Sequence, residues 1–345
     1  MAMSRRLAVA VILVLLVLVS ACAGAVEYNR RYLDAPGYPY GLAVDINDSG
    51  QVVGKTDYNQ AFFWDTDGTP TAILLPQGAN EALPSGININ GQVTGTAYGT
   101  GDFYWGRGFA WSQETGYVPL EMPSGATRCE GVSINDAGQI VGRYGGPTLD
   151  SGLSGVWDAA TGDLLATASA SYYDINNQGQ KAGWWFGPGE QLAASWDTDG
   201  SLHKYYPING LEYSQGDRIN NAGQVAGLSF TGSNYAVTLW NPDGSGIEIP
   251  GLGGISFVED LNNDGQVLFL SAGSSGPLYS YLWTPGLGAA AFTDGSLFGL
   301  NDQGQVVGVA DGLPCVWTPV PEPASIVTLL AGLAGVVSLR LRRRG

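Results

Sequence analysis

One histidine, His203, is all the imidazole that this chain of 345 residues contains. Histidine-based metal clusters and Ser-His-Asp relays both need imidazoles held between defined partners. The first is therefore absent and the second has little scope. No pair of carboxylates stands out as an acid and a base. The chain reads as a non-enzyme, with no catalytic residue assigned and a polysaccharide lyase or hydrolase as the remote alternative. The best metal motif is Asp260-Leu261-Asn262-Asn263-Asp264-Gly265, which fits the opening of an EF-hand calcium loop. Ser271 stands where that loop needs Glu, so the calcium motif is incomplete. No metal residue or cofactor is assigned.

Aromatic rings offer a different chemistry. Tyr98, Tyr104, Trp105, Tyr144, Trp184 and Trp185 fall, with Phe103 and Tyr235, in segments expected to be loops on one face of the fold. Tyr38, Tyr40, Tyr172, Tyr173 and Tyr213 fall in connections expected on that same face. Rings beside carboxylates and amides suit sugars, because a ring covers the apolar face of a pyranose while polar groups take its hydroxyls. The first six are the candidate ligand-binding residues. The competing reading is ordinary loop packing.

The elements that position these rings come from a repeat. Aliphatic–Asn–x–x–Gly–Gln occurs seven times, beginning at Ile46, Ile87, Ile134, Ile175, Ile219, Leu261 and Leu300, with spacings of 41, 47, 41, 44, 42 and 39. A period of about forty residues in a Gly-rich, strand-forming sequence indicates propeller blades or a solenoid. Each copy continues into a strand-like cluster ending in Trp, at Trp64, Trp111, Trp157, Trp196, Trp240, Trp283 and Trp317. A further apolar cluster follows most of them. Four short strands per unit, A to D, make a blade. The Asn-x-x-Gly step is the A–B hairpin turn, with Gly at the positive-φ position.

The last copy stops at strand C, and Tyr28 to Leu33 precedes the first in the place of a D strand. That piece would close the ring and remove its open edges. The fold expected is all-β, a seven-bladed propeller of four-stranded blades over residues 26–319. Its tryptophans should be inter-blade core. Copy six departs from the pattern, with Leu268-Phe269 for Val-Gly, and is expected to be distorted. Cys129 and Cys315 fall in blades three and seven, too far apart for the roughly 7 Å limit of a disulfide.

Composition agrees, with 52 Gly, 17 Tyr, 10 Trp and 13% charged residues. Net charge is −16, and six of the fifteen basic residues lie in the two ends with one acid, Glu322. The repeats therefore carry nine basic and thirty acidic residues, a net of −21. Such a surface repels phosphate backbones, so no nucleic acid partner is expected.

Arg5 and Arg6 precede an apolar run from Leu7 to Val19, which reads as a secretory signal peptide over residues 1–25. Two exits compete: a small–x–small site at Ala23-Gly24-Ala25, and a lipobox-like Val19-Ser20-Ala21-Cys22 that would lipidate Cys22. At the other end, Val320-Pro321-Glu322-Pro323 leads into an apolar run from Ala324 to Leu339 and then Arg340-Leu341-Arg342-Arg343-Arg344. A sixteen-residue helix spans roughly 24 Å, and snorkelling arginines can extend it toward the core thickness of about 30 Å. The basic end should stay cytoplasmic and the repeats lie on the far side.

This tail, residues 320–345, resembles the PEP-CTERM sorting signal of bacteria through Pro321, Glu322 and Pro323, the apolar helix and the arginines, in that order. The resemblance implies an exosortase-type sorting protease as partner, a transmembrane anchor before sorting, and an address at the cell envelope or extracellular surface. The region from about Tyr28 to Pro319 resembles the HAF-type extracellular repeats through Ile-Asn-x-x-Gly-Gln and the tryptophan. Together these point to an exported, non-catalytic propeller that binds extracellular polysaccharide or a surface protein. The alternative is a matrix or coat protein assembling through its acidic surface.

Overall fold

Short runs of β-branched and aromatic residues, broken by glycines that tolerate positive φ, give strands of three to nine residues and almost no helix. The computed structural model describes residues 26–146, 152–251, 254–273 and 276–320. The signal segment with Cys22, and the sorting motif Pro321, Glu322 and Pro323 with its apolar run, lie outside those residues. Among the described residues no helix is long and apolar enough to cross a membrane.

The strands form seven four-stranded sheets, one per repeat. Within blades the pairing is antiparallel and follows chain order, as in blade 3, where Arg128–Ile134, Gln139–Gly145, Ser154–Asp158 and Leu164–Ala168 are strands A to D. Blade 7 takes its fourth strand from the start of the chain: Tyr28–Tyr32 lies against Leu313–Pro319. The Leu33 amide donates to the Pro314 carbonyl at 2.8 Å beside that seam. Arg30 to Trp317 forms one compact unit. The described part of a second, terminal unit holds the Val320 amide donating to the Glu27 carbonyl at 2.8 Å.

The Asn of the repeat is buried in every blade. Its backbone pairs with the Gln four residues on, and the Gly amide closes the turn on the Asn carbonyl, with the Gly at φ between 70° and 83°. Its side chain does more. Oδ1 accepts the Gln backbone amide, and Nδ2 donates to Gln Oε1, as between Asn135 and Gln139. The second Nδ2 hydrogen goes to the Asn carbonyl of the next blade. These bonds run Asn47 to Asn88, then to Asn135, Asn176, Asn220, Asn262 and Asn301, and from Asn301 back to Asn47, all between 2.8 and 3.1 Å. Seven buried amides thus close a circle. In blades 1, 4, 5 and 6, among others, the Gln Nε2 reaches on to the residue after the tryptophan, for example Gln180 to Asp197 at 2.6 Å. Asn, Gln and Trp recur together because one hydrogen-bonded relay joins strands A, B and C.

All seven strand-C tryptophans are buried, between 0% and 9% exposed. Three of them direct the indole N–H to the backbone leading into their own blade: Trp64 to Asp34, Trp157 to Glu121 and Trp240 to Tyr206. The distortion expected of copy six is absent. Its strands, from Ser256–Leu261 to Gly288–Phe292, pair like the others, and Phe269 is fully buried against Tyr281, filling the core between blades 5 and 6.

Replacing Asn135 by Ala leaves the Gln139 amide without its acceptor in the interior and removes the bond to the Asn176 carbonyl in the next blade, at a cost of about 2–4 kcal/mol. Asp136→Ala, at the neighbouring surface position, should cost less than about 1 kcal/mol. Urea unfolding of both variants checks this. Equal losses would show that the buried circle is not what holds adjacent blades together.

Candidate functional site

Strand A of every blade carries a bulge three to one residues before its aliphatic–Asn step. The bulge leaves Val44, Ser85, Val132, Tyr173, Asp217, Glu259 and Phe298 without a ladder partner on the innermost strands. All but Asp217 line one cavity of about 390 Å³, together with Leu42, Asp45, Asp174, Arg218 and Asp260. The residue after the bulge explains much of its charge. Asp45, Asp174 and Asp260 each accept the amide of their own next residue and that of Ile87, Ile219 or Leu300 in the following blade. They are inter-blade clamps.

Blade 5 has Arg218 at that place, between the clamps of blades 4 and 6. Its guanidinium donates to the Asp217 carbonyl at 3.0 Å and forms no direct ion pair among the described residues. Its field lowers every acid around it, yet burial outweighs that field. Burial raises Asp45, Asp174, Asp260 and Glu259 above their ordinary values. Burial likewise pushes Asp217 up to about 7, against a hydrogen bond from Gln215 and the charge of Arg218. Asp217 accepts from Gln215 Nε2 on one oxygen, and its other oxygen is buried without a partner. The bore is thus crowded with carboxylates around one cation.

A second constellation adjoins the bore and shares Tyr173 with its lining. The loop between strands B and C of blade 2 contains a 3-10 turn, Gly101–Phe103, and then Tyr104 and Trp105, whose rings meet edge to face at 4.8 Å. Both are exposed, at 66% and 42%. Gly106 follows with its backbone against the Tyr98 ring, and its carbonyl receives the Cys129 amide at 3.4 Å. Burial raises the Tyr98 hydroxyl, and the nearby charge of Glu130 raises it further. Glu130 itself takes two arginines, Arg128 and Arg143, the latter at 2.9 Å. Arg143 also lies 5.3 Å above the Tyr173 ring, on which Trp184 stacks at 5.6 Å. Phe186, half exposed, adjoins Trp184. Rings and arginines thus form one rim across blades 2, 3 and 4.

Of the rings expected in loops, Phe103, Tyr104 and Trp105 are there. Tyr98, Tyr144, Trp184, Trp185 and Tyr235 lie within strands instead, because strands B and C run on as seven-residue hairpins beyond the Gly. Tyr172, Tyr173 and Tyr213 belong to strand A. Tyr144 packs over the core around Leu120 and Cys129. Trp185 packs toward Val141 and Trp196 and carries Lys204 over its ring at 3.2 Å. The rim therefore gathers Tyr98, Tyr104, Trp105 and Trp184, and leaves Tyr144 and Trp185 to packing. Arg128, Glu130 and Arg143 escaped the sequence reading. Their alternation across the first A–B hairpin residues of blade 3 was the available signal.

His203 Nε2 lies 2.8 Å from Asp197 Oδ2 on the exposed edge of blade 4. The nearby Ser195 hydroxyl pairs with Tyr205 instead, so the three do not form a relay. The Asp260–Gly265 turn is the sixth copy of the latch. Asp260 clamps two amides, Asn262 continues the buried circle and Asn263 donates to Asp302. Among the described residues no group of three or more His, Cys, Asp or Glu is arranged to hold a metal ion. Cys129 and Cys315 are buried free thiols in blades 3 and 7.

No family model matches the chain, and no curated protein matches it by sequence. Solved structures match the fold. Virginiamycin B lyase from Staphylococcus aureus aligns with TM-score 0.57 and 12% identity, over 85% of this chain and 100% of that one. The WD40 repeats of RRP9 align with TM-score 0.55 and 12% identity, over 86% and 100%. The β-propeller domain of the Trilobed protease from Pyrococcus furiosus gives 0.53 and 9%, over 81% and 94%. A lyase and a WD40 domain stand side by side among them, so this likeness concerns architecture and leaves enzymatic status aside.

The buried acids set a pH dependence. A carboxyl raised on folding stabilises the protein below its unfolded value of about 4, and that contribution is lost as pH rises through its folded value. For Asp217 the window runs from about 4 up to about 7. Asp217→Asn should therefore raise the unfolding free energy at pH 8 by on the order of 2–4 kcal/mol and flatten its fall between pH 4 and 8. Urea melts across that range read both effects, and an unchanged slope would remove Asp217 from the account.

Proposed function

We propose that this protein is an exported, surface-sorted, non-catalytic β-propeller that binds extracellular polysaccharide. The single observation that carries the reading is the rim of blades 2 to 4. There, exposed Tyr104, Trp105 and Phe186 flank a polar cluster of Arg128, Glu130 and Arg143. Rings for the apolar faces of sugars and charged hydrogen-bonding groups for their hydroxyls are what glycan recognition asks of a surface. The rim also has a rigid base, since Arg143, Tyr173 and Trp184 stack on one another. Export and sorting rest on the two ends of the sequence, through the signal segment and the resemblance of Pro321, Glu322 and Pro323 with its apolar tail to a PEP-CTERM signal. The Ser195 hydroxyl pairs with Tyr205 and leaves the His203–Asp197 pair without a nucleophile in line, which supports binding over catalysis.

The net charge of −21 in the repeats favours a second reading, a coat protein whose acidic surface assembles through divalent cations. Light scattering with calcium and then with chelator separates the two, because growth and reversal belong to the coat reading alone.

A glycan array probed with the full-length protein, repeated in calcium and in chelator, should show selective binding in both conditions. Trp105→Ala should then lower affinity about tenfold or more, and Trp184→Ala similarly. Undiminished retention in both variants would count against the rim, and an array with no binding would shift the assignment to the coat.

A further inference from the structure

We infer that the rim of blades 2 to 4 selects polysaccharides that carry carboxylates, a polyuronate rather than a neutral glycan; this rests on the glycan-binding reading of the same rim. The first ground is charge. The repeats hold nine basic residues against thirty acidic ones, yet two of the nine, Arg128 and Arg143, converge on the single carboxylate of Glu130. One positive charge is left over at the surface of a strongly acidic protein.

The second ground is hydrogen bonding. Arg128 and Arg143 each give one terminal nitrogen to Glu130, and their side chains remain 17% and 32% exposed. Three buried polar atoms in this cluster have no partner: Arg128 Nε, Arg143 Nε and Trp184 Nε1. All three are donors. A cluster with surplus donors and surplus positive charge calls for a ligand that brings acceptors and negative charge. A carboxylate brings both, and it would meet the exposed part of each arginine side chain, the Nε atoms being buried.

The third ground is the bore beside the rim. Asp45, Asp174, Glu259 and Asp260 line it around Arg218, so that cation is already enclosed by acids and offers no competing site for a carboxylate. A polyuronate lies across the blades, its carboxylate on the arginines and its rings on Trp105 and Phe186. The negative charge of the rest of the surface is screened within about 8 Å at physiological ionic strength, so short-range contacts decide. Glu130 then has a definite part: it holds the arginines in place and competes with the ligand's carboxylate for them.

The test uses the full-length protein and four probes: polygalacturonate, its methyl ester, dextran and poly-glutamate. Tryptophan fluorescence titration reads affinity. Polygalacturonate should bind, and its methyl ester should bind about tenfold more weakly, as expected when a charged hydrogen bond is lost. Arg128→Gln and Arg143→Gln should each weaken polygalacturonate by a similar factor. Glu130→Gln, checked for folding by thermal melt, should raise the affinity for polygalacturonate relative to that for dextran. If that variant does not fold, the ester comparison on the unaltered protein decides. Equal affinity for polygalacturonate and its ester would overturn the inference while leaving glycan binding in place. Poly-glutamate bound as tightly as polygalacturonate would also overturn it, since the sugar would then not be recognised. No binding of any probe, with an empty glycan array, would overturn the glycan reading itself.

Discussion

A primary amide taken out of water must find partners for two donors and an acceptor, and in this protein seven of them find one another. Each Asn of the repeat ties its own hairpin with one hydrogen and the next blade with the other. The requirement is strict because these groups sit at the inner edge of the sheets, where an unmet hydrogen bond costs about 1–3 kcal/mol. Everything outward follows from that circle. The Gln fixed by the Asn reaches the end of strand C, and strand C delivers its tryptophan into the space between blades.

The repeat made the architecture legible because it is this mechanism written once per blade. Asn, Gly, Gln and Trp each have a single physical task, so their spacing alone gives the blade count, the turn and the core. The closing strand was legible too, since a missing fourth strand at one end and a spare one at the other have one economical solution. The site was harder to read. Strand length beyond the repeat Gly is set by hairpin pairing rather than by any fixed residue, so Tyr98, Tyr144, Trp184 and Trp185 looked like loop residues and are strand residues. Arg128, Glu130 and Arg143 carry no motif. Their meeting depends on the cross-strand register that sets Glu130 opposite Arg143.

Copies of a blade differ most where the circle makes no demand. The position after the Asn continues an outer ring, with the backbone amide of one blade bonded to the side chain of the next: Asp136 to Asn177, Asn177 to Asn221, Asn221 to Asn263, Asn263 to Asp302 and Asp302 to Asp48. Ile89 receives no such bond, having no acceptor to offer, yet its own amide still reaches Asp136. Blade 2 thus tolerates an apolar residue in a polar ring, and the same blade carries the exposed Tyr104–Trp105 loop. Blade 3 holds the two arginines of the rim, while blades 4 to 6 hold the acids nearest Arg218. A sevenfold scaffold has acquired two sides of different character without altering its latch.

The circle also has a sense of direction. Every Asn donates to the following blade around the ring and accepts from the preceding one, so each blade presents a donor on one flank and an acceptor on the other. Contacts of this head-to-tail kind close when the rotation per unit divides the circle and propagate when it does not. Seven blades close. An array interrupted between two blades would carry a free amide at one end and a free carbonyl at the other, complementary to the ends of its own copies. Ring closure therefore leaves no Asn of the circle with an unmet donor or acceptor, and the short first strand gives blade 7 the fourth strand that its own segment lacks.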